Sequence, residues 1–264
     1  MGEHEQAAAV PRGIKRFSLE GKVALITGGS RGLGRAIALG FAAAGADVAI
    51  AARSEGDLAT VAKEIEAIGV HSLPVSADVT DKAQVDAMVD KTVEGLGHLD
   101  VLVNNAGGGR MRPLMVLRPE GWERDIALNL TSVFYATQAG ARAMSEGEGG
   151  SIIQISSVST EIGTVGLSAY AAAKGGVRAM MLTAAKELAE KHIRINAISP
   201  GWIETDLNAL IRQNEQLRSY IESIIPMRRF GLPDEVVGAA IFLASDASSF
   251  MTGTTLMVDG GQTA

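Results

Sequence analysis

Short β-branched runs alternate with longer helical patterns along nearly the whole chain, and that alternation leaves few folds open. Val23-Ala-Leu-Ile-Thr27 is an apolar run of strand length, followed by a glycine-rich turn. A helical stretch over residues 33–44 comes next and is stopped by Gly45. Residues 47–52 read as a second strand and 57–68 as a second helix, closed by Gly69. Residues 71–78 read as a third strand, after which Thr80 or Asp81 caps a helix running to about 94. Residues 101–103 form a fourth strand that ends in Asn104-Asn105-Ala106-Gly107. In the second half, a long helix from about 119 to 144 leads into a strand at 151–156. A helix from about 169 to 191 leads into a strand at 193–198. After a long polar segment, a helix near 233–244 leads into a last strand at 255–258. Strands joined by helices pack as a parallel, doubly wound sheet with helices on both faces, so the fold class is α/β. No linker-like stretch divides residues 19–264, which predicts one domain behind a tail at 1–18, expected to be flexible or to make an oligomer contact.

Composition narrows the function. The hydrophobic fraction of 47% supplies a large core, and a net charge of -6 gives no electrostatic basis for binding nucleic acid or an anionic membrane. Cysteine is absent, which removes disulfides, thiolate nucleophiles and Cys-ligated zinc, and fits a reducing, cytoplasmic setting. The apolar stretch at 7–10 is too short for a signal-peptide core, and no segment offers eighteen uninterrupted apolar residues. The histidines at 4, 71, 98 and 192 show no ligand spacing, so no metal is expected.

Thr27-Gly28-Gly29-Ser30-Arg31-Gly32-Leu33-Gly34 lies between the first strand and the first helix. Glycines there let the backbone turn sharply and approach a pyrophosphate that rests on the helix N-terminus, which predicts dinucleotide binding. An acid at the end of the second strand would favour NAD(H). That end instead reads Ala51-Ala52-Arg53-Ser54, and Asp47 lies at the opposite end. Arg53, with Arg31 in the loop, offers cations to a 2′-phosphate, so NADP(H) is expected, although Glu55 lies close by.

Tyr170 and Lys174 are four residues apart on a predicted helix and share a face. A neighbouring ammonium would bring the phenol pKa down from about 10, making the pair a general acid for ketone reduction and a general base for alcohol oxidation. Ser157, at the end of a predicted strand, could hold the carbonyl oxygen on which charge develops. Such a Tyr–Lys spacing on its own is usually an ordinary helix-surface pair, and the nucleotide fold around it carries the inference.

In this combination the sequence resembles the short-chain dehydrogenase/reductase family over residues 19–261. The match rests on Thr27-Gly28-x-x-x-Gly32-x-Gly34, Asp78-Val79, Asn104-Asn105-Ala106-Gly107, Asn129, Ser157, Tyr170-x-x-x-Lys174 and Pro200-Gly201, all in family order. The resemblance implies a Rossmann fold with a seven-stranded parallel sheet and a catalytic tetrad of Asn129, Ser157, Tyr170 and Lys174. It makes Tyr170 the proton donor or acceptor and Ser157 the group that orients the carbonyl. Lys174 would bind the nicotinamide ribose, and Asn129 would hold a water that relays protons. Asp78 and Val79 would lie by the adenine, and Asn105, with Ala106 and Gly107, by the adjoining ribose. Ile203 and Thr205, after Pro200-Gly201, would meet the carboxamide and a nearby phosphate. The resemblance also suggests a homotetramer that pairs the Tyr170 and Asn129 helices with their copies, and a substrate-covering lid within 202–230, where unmoving surface helices are the plainer reading.

The pattern is similar to 3-oxoacyl-acyl-carrier-protein reductases and to sugar or polyol dehydrogenases. Glu146 and Glu148 would repel an acidic carrier while Lys191 would attract one, so a free small or medium carbonyl or alcohol is expected over a carrier-bound substrate. Gly109, Arg110, Arg112, Ser159, Glu161 and Val165 flank the chemistry and should shape the pocket. A protein that binds NADP(H) without turnover, as a sensor or structural subunit, is the alternative from another class.

Overall fold

The computed structural model describes residues 13–264. Its strands are β1 (Val23–Thr27), β2 (Asp47–Ala52), β3 (Ser72–Ser76), β4 (Val101–Asn104), β5 (Gly150–Ile155), β6 (Ile193–Pro200) and β7 (Thr255–Val258). All seven pair in parallel in the order β3-β2-β1-β4-β5-β6-β7. The chain winds outward from β1 to β3, then returns to place β4 on the other side of β1. That reversal opens a crevice at the C-terminal ends of β1 and β4.

The helices are α1 (Gly32–Ala43), α2 (Glu55–Glu66), α3 (Lys82–Leu96), α4 (Pro119–Ile126), α5 (Ser132–Ser145), α6 (Ser168–Leu188), α7 (Ala209–Gln213), α8 (Glu215–Ile224) and α9 (Asp234–Ala244). Phe41 of α1, Ile65 of α2 and Leu243 of α9 pack with Ile26, Ile50, Val103 and Ile153 on one face. Met88 of α3, Met144 of α5 and Met181 of α6 pack with Leu25, Ala49, Leu102 and Ile152 on the other. Successive strand residues point to opposite faces, so an unbroken apolar run feeds two cores at once. The edge strands β3 and β7 are less buried, and β3 accommodates Pro74, which a central strand would reject. Among the described residues no helix is long and apolar enough to cross a membrane.

Local hydrogen bonding moves several boundaries from where periodicity put them. Strand β3 is shorter than 71–78 because polar side chains divert its ends. The Asp47 carboxylate accepts the His71 N–H at 2.7 Å, and the Asp78 N–H donates to Gln84 at 2.9 Å. Asp81 rather than Thr80 caps α3, accepting from the N–H groups of Ala83 and Gln84. Thr80 instead turns back to bond Asp78. The long helix expected from 119 to 144 is interrupted by a π-helical turn over Ala127–Thr131. There the Asn129 amide donates to the Asp125 carbonyl at 2.9 Å, competing for the acceptor that an α-helical Asn129 N–H would use. Helix α6 ends at Leu188, and a 3-10 turn then leads to His192 in a left-handed conformation before β6. The 202–230 segment holds α7 and α8, seated through Ile221, Ile225 and Phe230 on Trp202 and Ile211. Of the expected tail, residues 1–12 lie outside the described residues. Ile14–Phe17 form a 3-10 turn held by Arg16, which donates to the Asp246 carbonyl at 2.6 Å and to Ser249 at 2.9 Å.

Arg194 of β6 closes the end of α9. It donates to the carbonyls of Leu243 at 2.9 Å and Ser245 at 3.3 Å and to the Ser248 hydroxyl at 2.9 Å. The last carbonyls of a helix lack intrahelical partners, and a cation there also meets the negative end of the dipole. Arg194→Leu is expected to lower stability by about 2 kcal/mol, because these carbonyls lose their charged donor and keep only serine hydroxyls. Lys82→Ala, which breaks only the exposed pair with Asp86, should cost under about 0.5 kcal/mol. Chemical denaturation of both variants checks the contrast.

Candidate active site

The crevice between β1 and β4 is closed at its base by backbone and two side chains. The Thr27 hydroxyl donates to the Val103 carbonyl at 3.2 Å and accepts the N–H groups of Asn105 at 3.0 Å and Ala106 at 3.1 Å. The Asn105 amide donates to the Thr27 carbonyl at 2.9 Å and the Gly28 carbonyl at 3.1 Å. Gly28 turns with φ 66°, and a Cβ there would lie 2.9 Å from the Asn105 amide nitrogen. A side chain at Gly34 would run into the Gly28 carbonyl. Arg31 is the N-cap of α1 and makes no side-chain cap bond, so the Gly32, Leu33 and Gly34 amides are not met by a capping side chain. Thr205 reaches this point from after β6, its Cβ 3.6 Å from where a Gly32 Cβ would stand. A bare, positive helix N-terminus with no room for side chains fits the diphosphate of a dinucleotide. The Asn105 side chain is thus turned to the glycine loop.

At the other end of this groove, Arg53 is exposed beyond β2 and Val79 is buried beyond β3. Bonds from Thr80 are the main cause that lowers the Asp78 pKa, and the Arg53 charge adds to them, which places Arg53 within electrostatic reach of Asp78. Asp47 sits at the far end of β2, bonded to His71.

The residues expected to carry the chemistry converge above β4 and β5. The Asn129 side chain, brought inward by the π-turn and fully buried, accepts the Gly108 N–H at 2.9 Å and donates to the Gly108 carbonyl at 3.0 Å. Its amide is thereby committed to backbone. A Cβ on Gly107 would stand 2.8 Å from the Asn129 carbonyl oxygen and 3.6 Å from Lys174 Nζ, and one on Gly109 would stand 3.1 Å from Tyr170 Cβ. The 107–109 loop therefore lies directly over Asn129, Lys174 and Tyr170. Ser157, beyond β5, accepts the Ser159 N–H at 3.1 Å and lies close enough to the Tyr170 phenol to lower its pKa. Gly201 N–H donates to the Val258 carbonyl at 3.0 Å, holding Pro200-Gly201 to β7, and Ile203 is buried just past it.

The electrostatics differ from the simple Tyr–Lys pairing. Burial raises the Tyr170 phenol above the ordinary tyrosine value, and the Ser157 bond pulls it partly back. Lys174 is 2% exposed and burial lowers its ammonium to about 8. Its Nζ donates to the Ile155 carbonyl at 2.6 Å and stands 5.7 Å from the centre of the Tyr170 ring. The lysine thus bonds the sheet backbone, and it is Ser157, not Lys174, that draws the phenol pKa down here.

Two participants were not foreseen. The Thr27 hydroxyl had a signal, a polar residue closing an apolar strand at the glycine loop. The Ile155 carbonyl had none, because every residue carries one. Around the mouth, Arg112 N–H donates to the Gly166 carbonyl at 2.7 Å, and a Cβ on Gly108 would stand 3.6 Å from the Leu207 side chain. Glu161 pairs with Arg178 of α6 at 3.7 Å.

The Lys174 shift has a stability consequence. Between pH 8 and about 10.5 the unfolded chain holds a proton on this lysine that the folded chain releases, so stability rises with pH across that window. Wild-type protein should gain stability relative to Lys174→Met between about pH 7.5 and 9.5. Denaturation midpoints at the two pH values test this, and a constant difference would refute it.

Known proteins share this architecture throughout. The family model described as Enoyl-(Acyl carrier protein) reductase matches residues 28–263. The 3-oxoacyl-(acyl-carrier-protein) reductase FabG of Thermotoga maritima is 43% identical over 92% of this chain and 98% of its own. The 2-dehydro-3-deoxy-D-gluconate 5-dehydrogenase of Escherichia coli is 38% identical over 94% of this chain and 98% of its own. The crystal structure of a gluconate 5-dehydrogenase from Burkholderia cenocepacia, in complex with NADP and tartrate, superposes with a TM-score of 0.91 at 40% identity, covering 94% of this chain and 98% of that one. With its glycine cradle, its Ser157–Tyr170–Lys174 cluster and relatives matching along almost its whole length, the chain belongs to the short-chain dehydrogenase/reductase family of oxidoreductases.

Proposed function

We propose that the chain is an NADP(H)-dependent oxidoreductase acting on a small or medium carbonyl or secondary alcohol, with Tyr170 as general acid and base. The observation that carries this reading is the Tyr170 phenol, set over the buried Lys174 and near Ser157, beside a cradle that fits a dinucleotide. When bound, the nicotinamide cofactor supplies or accepts the hydride. The protein's part is positioning and proton transfer. Ser157 accepts from the Ser159 N–H, which leaves its own proton to donate to the substrate oxygen. In reduction Tyr170 Oη gives its proton to that oxygen, and in oxidation it takes the proton back. Lys174, buried beside the Tyr170 ring, would hold the nicotinamide ribose. Asn129, through Gly108, keeps the loop over the site in place and would help hold a relaying water.

Arg53 and Arg31 support NADP(H) over NAD(H). Both are exposed beside the groove, neither is in an ion pair among the described residues, and no acid ends β2. The Burkholderia cenocepacia neighbour was solved with NADP. A free substrate is favoured over a carrier-bound one by the surface around Lys191. The Gly150 N–H donates to the His192 carbonyl at 3.1 Å, which brings the loop carrying Glu146 and Glu148 beside Lys191, with Glu190 adjacent. An acidic carrier would meet repulsion there. Exposed Phe134 on α5 and Leu182 on α6 support a homotetramer pairing these helices with their copies. The composition supports a cytoplasmic setting.

Oxidation of NADPH, with NADH in parallel, over diketones, keto-sugars, cyclic ketones and a 3-oxoacyl thioester tests the reading. Tyr170→Phe should abolish turnover and keep cofactor affinity. Equal behaviour of this variant and wild type would favour a non-catalytic cofactor-binding protein. Arg53→Ala should weaken NADPH binding about tenfold and leave NADH unchanged, since one charged hydrogen-bond donor is lost. An unchanged NADPH:NADH ratio would remove Arg53 as the phosphate reader.

A further inference from the structure

Beneath the site, in the core shared by α3, α5 and α6, the sheet carries two amide side chains that the mechanism does not use. Asn104 of β4 and Gln154 of β5 are direct partners across the parallel ladder and are 2% and 0% exposed. Each donates its amide N–H to the same group, the Thr137 hydroxyl of α5, at 3.0 Å in both cases. Their amide oxygens have no partner among the described residues. Among the described residues Thr137 is therefore the one protein group that bonds either side chain.

A buried amide oxygen without a partner is costly, and leucine would fill either position more cheaply. What the two amides have in common is the residue that follows. Asn105 follows Asn104 and stitches the glycine loop to β4 through the Thr27 and Gly28 carbonyls. Ile155 follows Gln154, and its carbonyl takes Lys174 Nζ at 2.6 Å. One hydroxyl thus grips the ends of two adjacent strands, one residue short of the cofactor cradle on one side and of the lysine's anchor on the other.

We propose that Thr137 is a positioning residue that sets the cofactor cradle and Lys174 in register through Asn104 and Gln154. The part concerning catalysis rests on the function proposed above, whereas the part concerning the cradle needs only cofactor binding. Thr137→Val keeps the shape and removes the hydroxyl, and Thr137→Ser restores it. The experiment measures NADPH affinity by fluorescence titration, kcat and KM against pH, and the melting temperature. For Thr137→Val, NADPH affinity and kcat should each fall about tenfold and the alkaline limb of the kcat profile should move, with Thr137→Ser near wild type. A variant that melts earlier while keeping affinity, kcat and pH profile would reduce Thr137 to a stabilising residue and overturn the proposal. Should Thr137→Val fail to fold, Gln154→Met decides: releasing only β5 should move the pH profile and leave NADPH affinity unchanged, and an unmoved profile would overturn the proposal. If wild-type protein binds NADPH but turns over no carbonyl, the proposed function fails while the affinity of Thr137→Val still judges the clamp at the cradle.

Discussion

The Thr27 hydroxyl at the reversal of strand order is the contact on which the rest of the site depends. It holds the end of β1 to the end of β4, accepting from Asn105 and Ala106 while donating to Val103. Two loops that must both lie open to a ligand are thereby joined without filling the space between them. The absence of side chains at Gly28 and Gly34 lets α1 begin against the loop, leaving its first amides for an anion. From the same junction the chain runs through Gly107, Gly108 and Gly109 across Asn129, Lys174 and Tyr170, so the cradle and these three side chains share one stretch of backbone.

Burial does the electrostatic work among those groups. Removing water from Lys174 lowers it to about 8 and from Tyr170 raises the phenol, so each is held toward its neutral form. Ser157, beside the phenol, offsets part of that effect. The π-turn at Ala127–Thr131 belongs to the same arrangement: it directs Asn129 at Gly108 and away from the regular helix ladder.

What was legible in the sequence follows from local rules. The period of the apolar pattern, the glycine after β1 and the alternation of elements specified the doubly wound sheet, since a parallel strand requires a crossover helix and both faces must be covered. The final strand was placed at Thr255–Val258, where it lies, and Tyr170 and Lys174 share α6 as their spacing required. The resemblance singles out Asn129 and Thr205, while the ends of β2 and β5 point to Arg53 and Ser157. Boundaries were less legible where a side chain bonds backbone, as at Asp78, Asp81 and Asn129, because such bonds compete with the ladder in ways hydrophobic periodicity does not register.

The sequence by itself determined the layers of this protein, the position of its cradle and the set of residues at its centre, because spacing along a helix or strand converts directly into a shared face. Only the tertiary structure decided what each of those residues touches. Asn105 turns to the glycine loop, Lys174 to the Ile155 carbonyl, and Thr137 to two amides on neighbouring strands. These bonds join residues far apart in the chain, and burial, which no single segment controls, makes each partner obligatory. A buried polar group must find a donor or acceptor among whatever the fold brings beside it.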